Sequence, residues 1–205
     1  MKKEKIIVAA VILLLVFVVG GAAAFFTDTE SVTNTFTIGD VDITLTEPDW
    51  DDTDHNNNGV PDAAEGRTPG QVIAKDPTIT NVGTNDAYVF AKVVAACTGE
   101  VSPAVPKEIF TYTTNTGWYL MTDSNTCSNG TITKIYAYGS NAAMTRLAKN
   151  GTATLFDEVT INTAITGDEV GLSGNKNIVV TGYAIQADGI NATSPSAVWT
   201  ASNFS

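Results

Sequence analysis

The chain has one histidine and two cysteines among its 205 residues. A single His excludes every site built from two imidazoles, including the His-Glu-x-x-His zinc motif. A Ser-His-Asp triad would depend on His55 alone, and no nucleophile-elbow sequence presents a serine to it. Basic residues are scarce too. Eleven Lys and Arg stand against 22 Asp and Glu, a formal net charge of −11. Without a basic face to neutralise phosphates, nucleic acid is excluded as a partner. There is no phosphate-cradling Gly loop. Charged residues make up only 16% of the chain. Ser, Thr, Asn and Gly fill the polar positions instead, which is the composition of an exported β protein rather than a cytosolic helical enzyme. The length suits one ordinary domain.

Long apolar runs are confined to the start. Lys2, Lys3 and Lys5 form a basic n-region, Ile6 to Val19 is continuously apolar, and Gly20-Gly21-Ala22-Ala23-Ala24 follows. Ala22 and Ala24 supply the A-x-A pattern of a signal peptidase site, which predicts a signal peptide over 1–24 cut between Ala24 and Phe25. The alternative is an uncleaved anchor, since Ile6 to Phe26 has no charge and is long enough to span a bilayer. A membrane enters only through that leader. The mature chain, 25–205, keeps 8 basic and 21 acidic side chains, a net of −13. Such a charge favours solubility and metal cations and opposes self-association unless it is screened.

Period-2 patterns recur after the leader. Val41–Leu45 and Thr131–Tyr138 alternate cleanly, whereas Ala87–Ala96 and Ile178–Ala187 are more uniformly apolar, as in strands covered on both faces. Shorter strands are predicted at Thr78–Asn81, Ile109–Thr114, Trp118–Met121, Thr152–Phe156 and Val159–Asn162. Asn58-Gly59, Asn129-Gly130 and Asn150-Gly151 mark turns. Short helices are predicted at Asn141–Lys149 and after Ser194-Pro195, the latter carrying Val198 and Trp199. About ten short strands with frequent turns predict an all-β fold, a jelly-roll-like β-sandwich forming a single domain over 25–205. The acidic block at 47–68 is an insertion between strands.

Within that block, Asp54 to Glu65 fits the twelve-residue calcium loop. Asp54, Asn56 and Asn58 stand at positions 1, 3 and 5, Gly59 at the sharp turn, Val60 offers a carbonyl at 7, and Asp62 and Glu65 stand at 9 and 12. Alternate hard oxygens in a tight loop point at one centre, so a structural calcium site is expected. The flanks contain Pro and Gly and do not read as EF-hand helices, and Asn-Gly-Val-Pro-Asp is similar to the bare loops of thrombospondin type 3 and dockerin-like modules. The other reading is a solvated acidic loop. Cys97 and Cys127, the two cysteines of an exported chain, are expected to form a disulfide; a redox pair is the alternative. Asp157-Glu158 and Asp168-Glu169 are paired acids of the kind glycosidases use, or surface charges. Trp50, Trp118 and Trp199 are groove candidates or core aromatics. Asn129, Asn150 and Asn191 each start a sequon.

Taken in order, these segments resemble the TasA and camelysin family. Gly20 to Glu30 looks like the junction cut by a SipW-type signal peptidase, and Phe36 to Ile43 resembles the family's first strand. Pro69-Gly70-Gln71-Val72, then Asn81-Val82-Gly83-Thr84-Asn85-Asp86-Ala87-Tyr88-Val89, are similar to its Pro-Gly-Asp and Asn-x-Gly-x-x-Asp-Ala-Tyr signature. Leu147–Val159 and Tyr183-Ala184-Ile185-Gln186 look like its C-terminal half. The TasA branch implies jelly-roll subunits of extracellular biofilm fibres, in which an N-terminal strand of one copy completes the sheet of the next. Residues 25–38 would be that donor, anchored by Phe25, Phe26, Val32, Phe36 and Ile38, with the partner a second copy or a related matrix subunit. The camelysin branch implies a surface metallopeptidase, for which the zinc-ligand inventory offers nothing. A third reading is a monomeric surface binding module. The 47–68 insertion departs from the TasA pattern.

Overall fold

The central strand is apolar on both sides because it is buried on both sides. Ala87–Thr98 (β4) sends Ala87, Val89, Ala91, Val93 and Ala95 into the main core and Tyr88 and Phe90 into a second cluster behind it. The computed structural model describes residues 40–58, 60–98, 107–124, 126–166 and 177–204. The leader, the cleavage pair Ala24 and Phe25, the segment 25–38 with Phe26, Val32, Phe36 and Ile38, and also Gly59, Asp168 and Glu169 lie outside them.

Ten further strands surround β4 among the described residues. They are Ile43–Thr46 (β1), Val72–Ala74 (β2), Thr78–Asn81 (β3), Lys107–Glu108 (β5), Phe110–Thr111 (β6), Trp118–Asp123 (β7), Thr131–Tyr138 (β8), Thr152–Thr154 (β9), Glu158–Ile161 (β10) and Ile178–Gln186 (β11). All pairings are antiparallel. One sheet runs β11-β4-β8-β7, with β5 on the end of β4; the others run β1-β3-β9 and β2-β10-β6. Gly182 of β11 shows how the layers meet, since a Cβ there would stand 3.3 Å from the Cδ1 atoms of both Ile43 and Ile79. Ile73, Phe110, Val159 and Ile161 of the third sheet join the same core. The fold is all-β, a sandwich of antiparallel sheets. The helix Pro195–Ser202 (α1) starts with Pro195 in its first turn, where a missing N–H costs nothing. Ser194 stands at the N-cap without a side-chain bond. The helix and the residues after it lay Trp199 and Phe204 on Phe90, with ring centroids 5.1 and 5.9 Å away.

Three expectations need correction. Asn141–Lys149 is not helical. Its backbone serves neighbours instead: Leu147 exchanges both hydrogen bonds with Ala87, and Met144 N–H donates to Thr193. Second, β11 is covered on both faces only over its second half. There Tyr183 and Ile185 lie in the α1 cluster, but Val179 is 51% exposed. Third, β2 and β5 are strands the sequence pattern passes over.

The Cys97–Cys127 disulfide is present, with Cα atoms 5.9 Å apart. It ties the end of β4 to the β7–β8 connection. Two of the three Asn-Gly turns behave as expected, with Asn129 at φ 51° and Asn150 at φ 61°.

The Asn81-x-Gly83 signature has a clear structural role. Asn81 is fully buried; its Nδ2 donates to the carbonyls of Asn85 and Leu147, both at 2.8 Å, and its Oδ1 accepts from Gly83 N–H at 3.1 Å. The N–H groups of Val82, Gly83 and Thr84 then donate to Asp42 and Asp40. Gly83 is required by close approach, since a Cβ would fall 2.6 Å from the Asp40 carbonyl oxygen. The signature therefore clamps residues 40–42, the point where the N-terminal segment joins the body.

Tyr112 and Tyr136 share a hydrogen bond of 3.1 Å between their hydroxyls. Burial pushes both phenols up, Tyr136 to about 12 and Tyr112 further. The fold holds these protons more tightly than the unfolded chain does. Stability is therefore unaffected by them below about pH 10 and falls as pH rises from about 10 toward 12. Thermal melts across that range should show the fall, and Tyr112→Phe should make it shallower.

Candidate functional site

The 47–68 insertion is fastened at its root. Lys75 and Asp76 directly follow β2 and are almost buried. Lys75 Nζ lies 2.6 Å from both carboxylate oxygens of Glu47 and 5.0 Å from the centre of the Trp50 ring. Asp76 Oδ1 accepts the Asp49 N–H at 2.8 Å. Opposite charge, an aromatic face and a main-chain bond thus hold residues 47–50 on the sandwich. Nothing in the local sequence announces this anchor, because its partners are 28 residues apart.

Beyond the root the loop is exposed and closes on itself. Thr53 donates its hydroxyl and its N–H to Asp51, which holds that carboxyl below the usual range. Asp62 N–H donates to the Thr53 carbonyl at 2.8 Å, drawing the two ends of the loop together. Asn57 takes the positive φ of 57°, and a 3-10 turn spans Asp62–Ala64.

Five of the six expected ligand residues share one network. Asn56 Nδ2 donates to both Glu65 oxygens at 2.9 and 3.0 Å, and Asn58 Nδ2 also donates to Glu65. Asn58 N–H donates to Asp54 Oδ1 at 3.3 Å and to Asn56 Oδ1 at 3.0 Å. Val60 N–H donates to Asn58 Oδ1 at 2.8 Å. Asp62 is turned elsewhere: Oδ2 is 2.5 Å from His55 Nδ1 and Oδ1 accepts the His55 N–H at 3.2 Å. The Asn amides face Glu65 with their N–H ends.

The three tryptophans do not line one groove. Trp50 sits under Lys75, Trp118 donates its Nε1–H to the Thr154 carbonyl at 2.9 Å, and Trp199 packs on Phe90 behind the large sheet. Asp157 accepts from Asn115 Nδ2 at 2.7 Å at the start of β10.

The feature that sequence reasoning missed is the free edge of β11. Among the described residues it pairs with β4 alone, in unbroken register from Ile178 to Gln186. Natural edge strands are commonly guarded by charge, proline or a bulge. Ile-Val-Val-Thr-Gly-Tyr-Ala-Ile-Gln has none of these. Among the described residues no helix is long and apolar enough to cross a membrane.

The family of camelysin metallo-endopeptidases matches residues 1–102, which include β1 to β4, the insertion and the Asn81-x-Gly83 signature. No curated protein and no solved structure matches the chain. The family's name implies a metal. His55, the only His, is exposed and engaged with Asp62. Among the described residues no three His, Cys, Asp or Glu side chains come together around a metal-sized space. These residues do not fit a catalytic metal centre. By the family match and its signature residues, the chain is a member of the TasA/camelysin family.

Proposed function

We propose that the protein is an exported structural subunit of a cell surface or extracellular matrix. It polymerises head to tail when residues 25–38 of one copy add as a strand to a second copy or a related subunit. The observation that carries this reading is the nine-residue edge of β11, which among the described residues has no strand partner beyond β4. A strand added there gains main-chain hydrogen bonds and covers Val179. The clamp on Asp40 and Asp42 supports the same reading, because it fixes the root of the donor segment on its own body. Removing residues 25–36 is expected to abolish filaments and leave the sandwich folded.

The loop at 54–65 is proposed as a structural calcium site, with Asp54, Asn56, Asn58, the Val60 carbonyl, Asp62 and Glu65 as ligands. Neutral asparagines at two positions suit the modest affinity of extracellular calcium modules. Calcium would offset the acidic charge of the mature chain where copies meet. Calorimetry should detect binding at millimolar calcium, and Glu65→Gln should weaken it by roughly an order of magnitude, since the closing bidentate ligand is lost. No heat of binding at millimolar calcium would remove the site.

The family name favours a second reading, a surface metallo-endopeptidase. Chelator-sensitive cleavage of casein by the pure protein would establish it. Absence of cleavage is expected, given the ligand inventory above.

A further inference from the structure

Lys134 is the one charged residue of β8, and it stands on the inward face. Its neighbours in that row are Ile132 and Tyr136, both buried in the main core. One carboxylate meets it there, and a second stands across from it on β7. Glu108 Oε1 lies 2.5 Å from Nζ, with the two side chains only 22% and 15% exposed. Asp123 of β7 stands directly opposite Lys134 in the strand register. The Tyr112 ring covers the ammonium at 5.6 Å, and Phe156 packs on Tyr112 with centroids 4.4 Å apart. The electrostatic influence of both carboxylates reaches Tyr112 and Tyr136.

An ion pair in such a place adds little stability over apolar residues of the same size. A lysine, an acceptor carboxyl and a second carboxylate held together under aromatic rings are also the groups needed to form an amide. We infer that Lys134 Nζ and Glu108 Cδ join in an intramolecular amide bond, with Asp123 shuttling the proton.

The step balances within the ion pair. Asp123 takes a proton from the ammonium and passes it to a Glu108 oxygen. The freed lone pair on Nζ attacks Cδ, and a new N–C bond forms. The protonated oxygen then leaves, taking a second proton from nitrogen, so that one water departs and a neutral amide remains. No oxidant, cofactor or outside proton is consumed. Condensation is unfavourable between separate molecules in water, but fixed groups at hydrogen-bond distance have effective concentrations on the order of 10⁵ M or more. The partial burial also favours a neutral amide over two charges.

The Lys75–Glu47 pair serves as an internal control. There Nζ is equidistant from both oxygens, in the bidentate arrangement of an ordinary ion pair. It should remain ionic.

The test is the intact mass of the purified exported chain after reduction and full denaturation, followed by peptide mapping. The expected result is a mass one water below that of the sequence. A branched peptide should join the segment containing Glu108 to the segment containing Lys134, while Lys75 and Glu47 appear in linear peptides. Lys134→Arg, which keeps the charge, should restore the full mass with an unchanged circular dichroism spectrum. The unmodified mass in the folded wild-type protein would overturn the inference. So would a one-water deficit that maps to a succinimide at Asp.

Discussion

Replacing Asn81 by alanine is expected to destabilise the sandwich by about 2–4 kcal/mol in urea unfolding, a large part of the stability of a domain this size. Few single side chains do as much here. Asn81 is fully buried and makes three hydrogen bonds, to the Asn85 and Leu147 carbonyls and from the Gly83 N–H. Alanine leaves the Asn85 carbonyl and the Gly83 N–H short of a side-chain partner, although Gly83 N–H keeps a second acceptor in the Asp42 carbonyl. Aspartate should be no better, since it keeps the acceptor but loses both donors and adds a buried charge. The damage should spread to residues 40–42, because the turn that Asn81 shapes is the one that grips them. Hydrogen exchange at Val82, Gly83 and Thr84 should therefore accelerate more than exchange in the centre of β8.

Removing the disulfide should cost about as much by a different route. The bond spans 30 positions of sequence, and the chain-entropy account assigns about 3–4 kcal/mol to closing such a loop in the unfolded chain. For a domain of this size that corresponds to a fall in melting temperature of roughly 10 °C. Alanine is the right replacement for buried Cys97, because serine would add a polar group to the core. The paired strands should survive in the double variant Cys97→Ala/Cys127→Ala, because β4 and β8 remain in register from Phe90 to Ala96. Loss of all strand signal at room temperature would mean that the bond directs folding rather than reinforcing it.

Much of the fold was legible because its signals are local. Thr131–Tyr138 alternates and is a strand at those bounds; Thr78–Asn81 likewise. Asn129-Gly130 and Asn150-Gly151 are turns because few other residues accept positive φ there. What failed depended on distant partners. Met144 and Leu147 have helical spacing, but Leu147 is held extended by its exchange with Ala87, some sixty residues earlier. The uniform apolarity of Ile178–Ala187 suggested cover on both faces, yet the α1 cluster takes in only Tyr183, Ile185 and Ala187 of its second half. Three residues, Val72–Ala74, are too few to show a period. The loop ligands could be placed by spacing, since a calcium loop is a local pattern. That Asp62 would turn to His55, and that Lys75 would grip Glu47, are consequences of folding that spacing does not encode.

The central claim is that the protein is a fibre subunit joined by its own N-terminal segment. Electron microscopy of the purified mature chain, beginning at Phe25, tests it most directly, alongside the same chain lacking residues 25–36 and with and without millimolar calcium. Regular filaments from the first and monodisperse, folded particles from the second are the predicted result. Monodisperse particles from the intact mature chain in both conditions, or filaments that persist without residues 25–36, would contradict it.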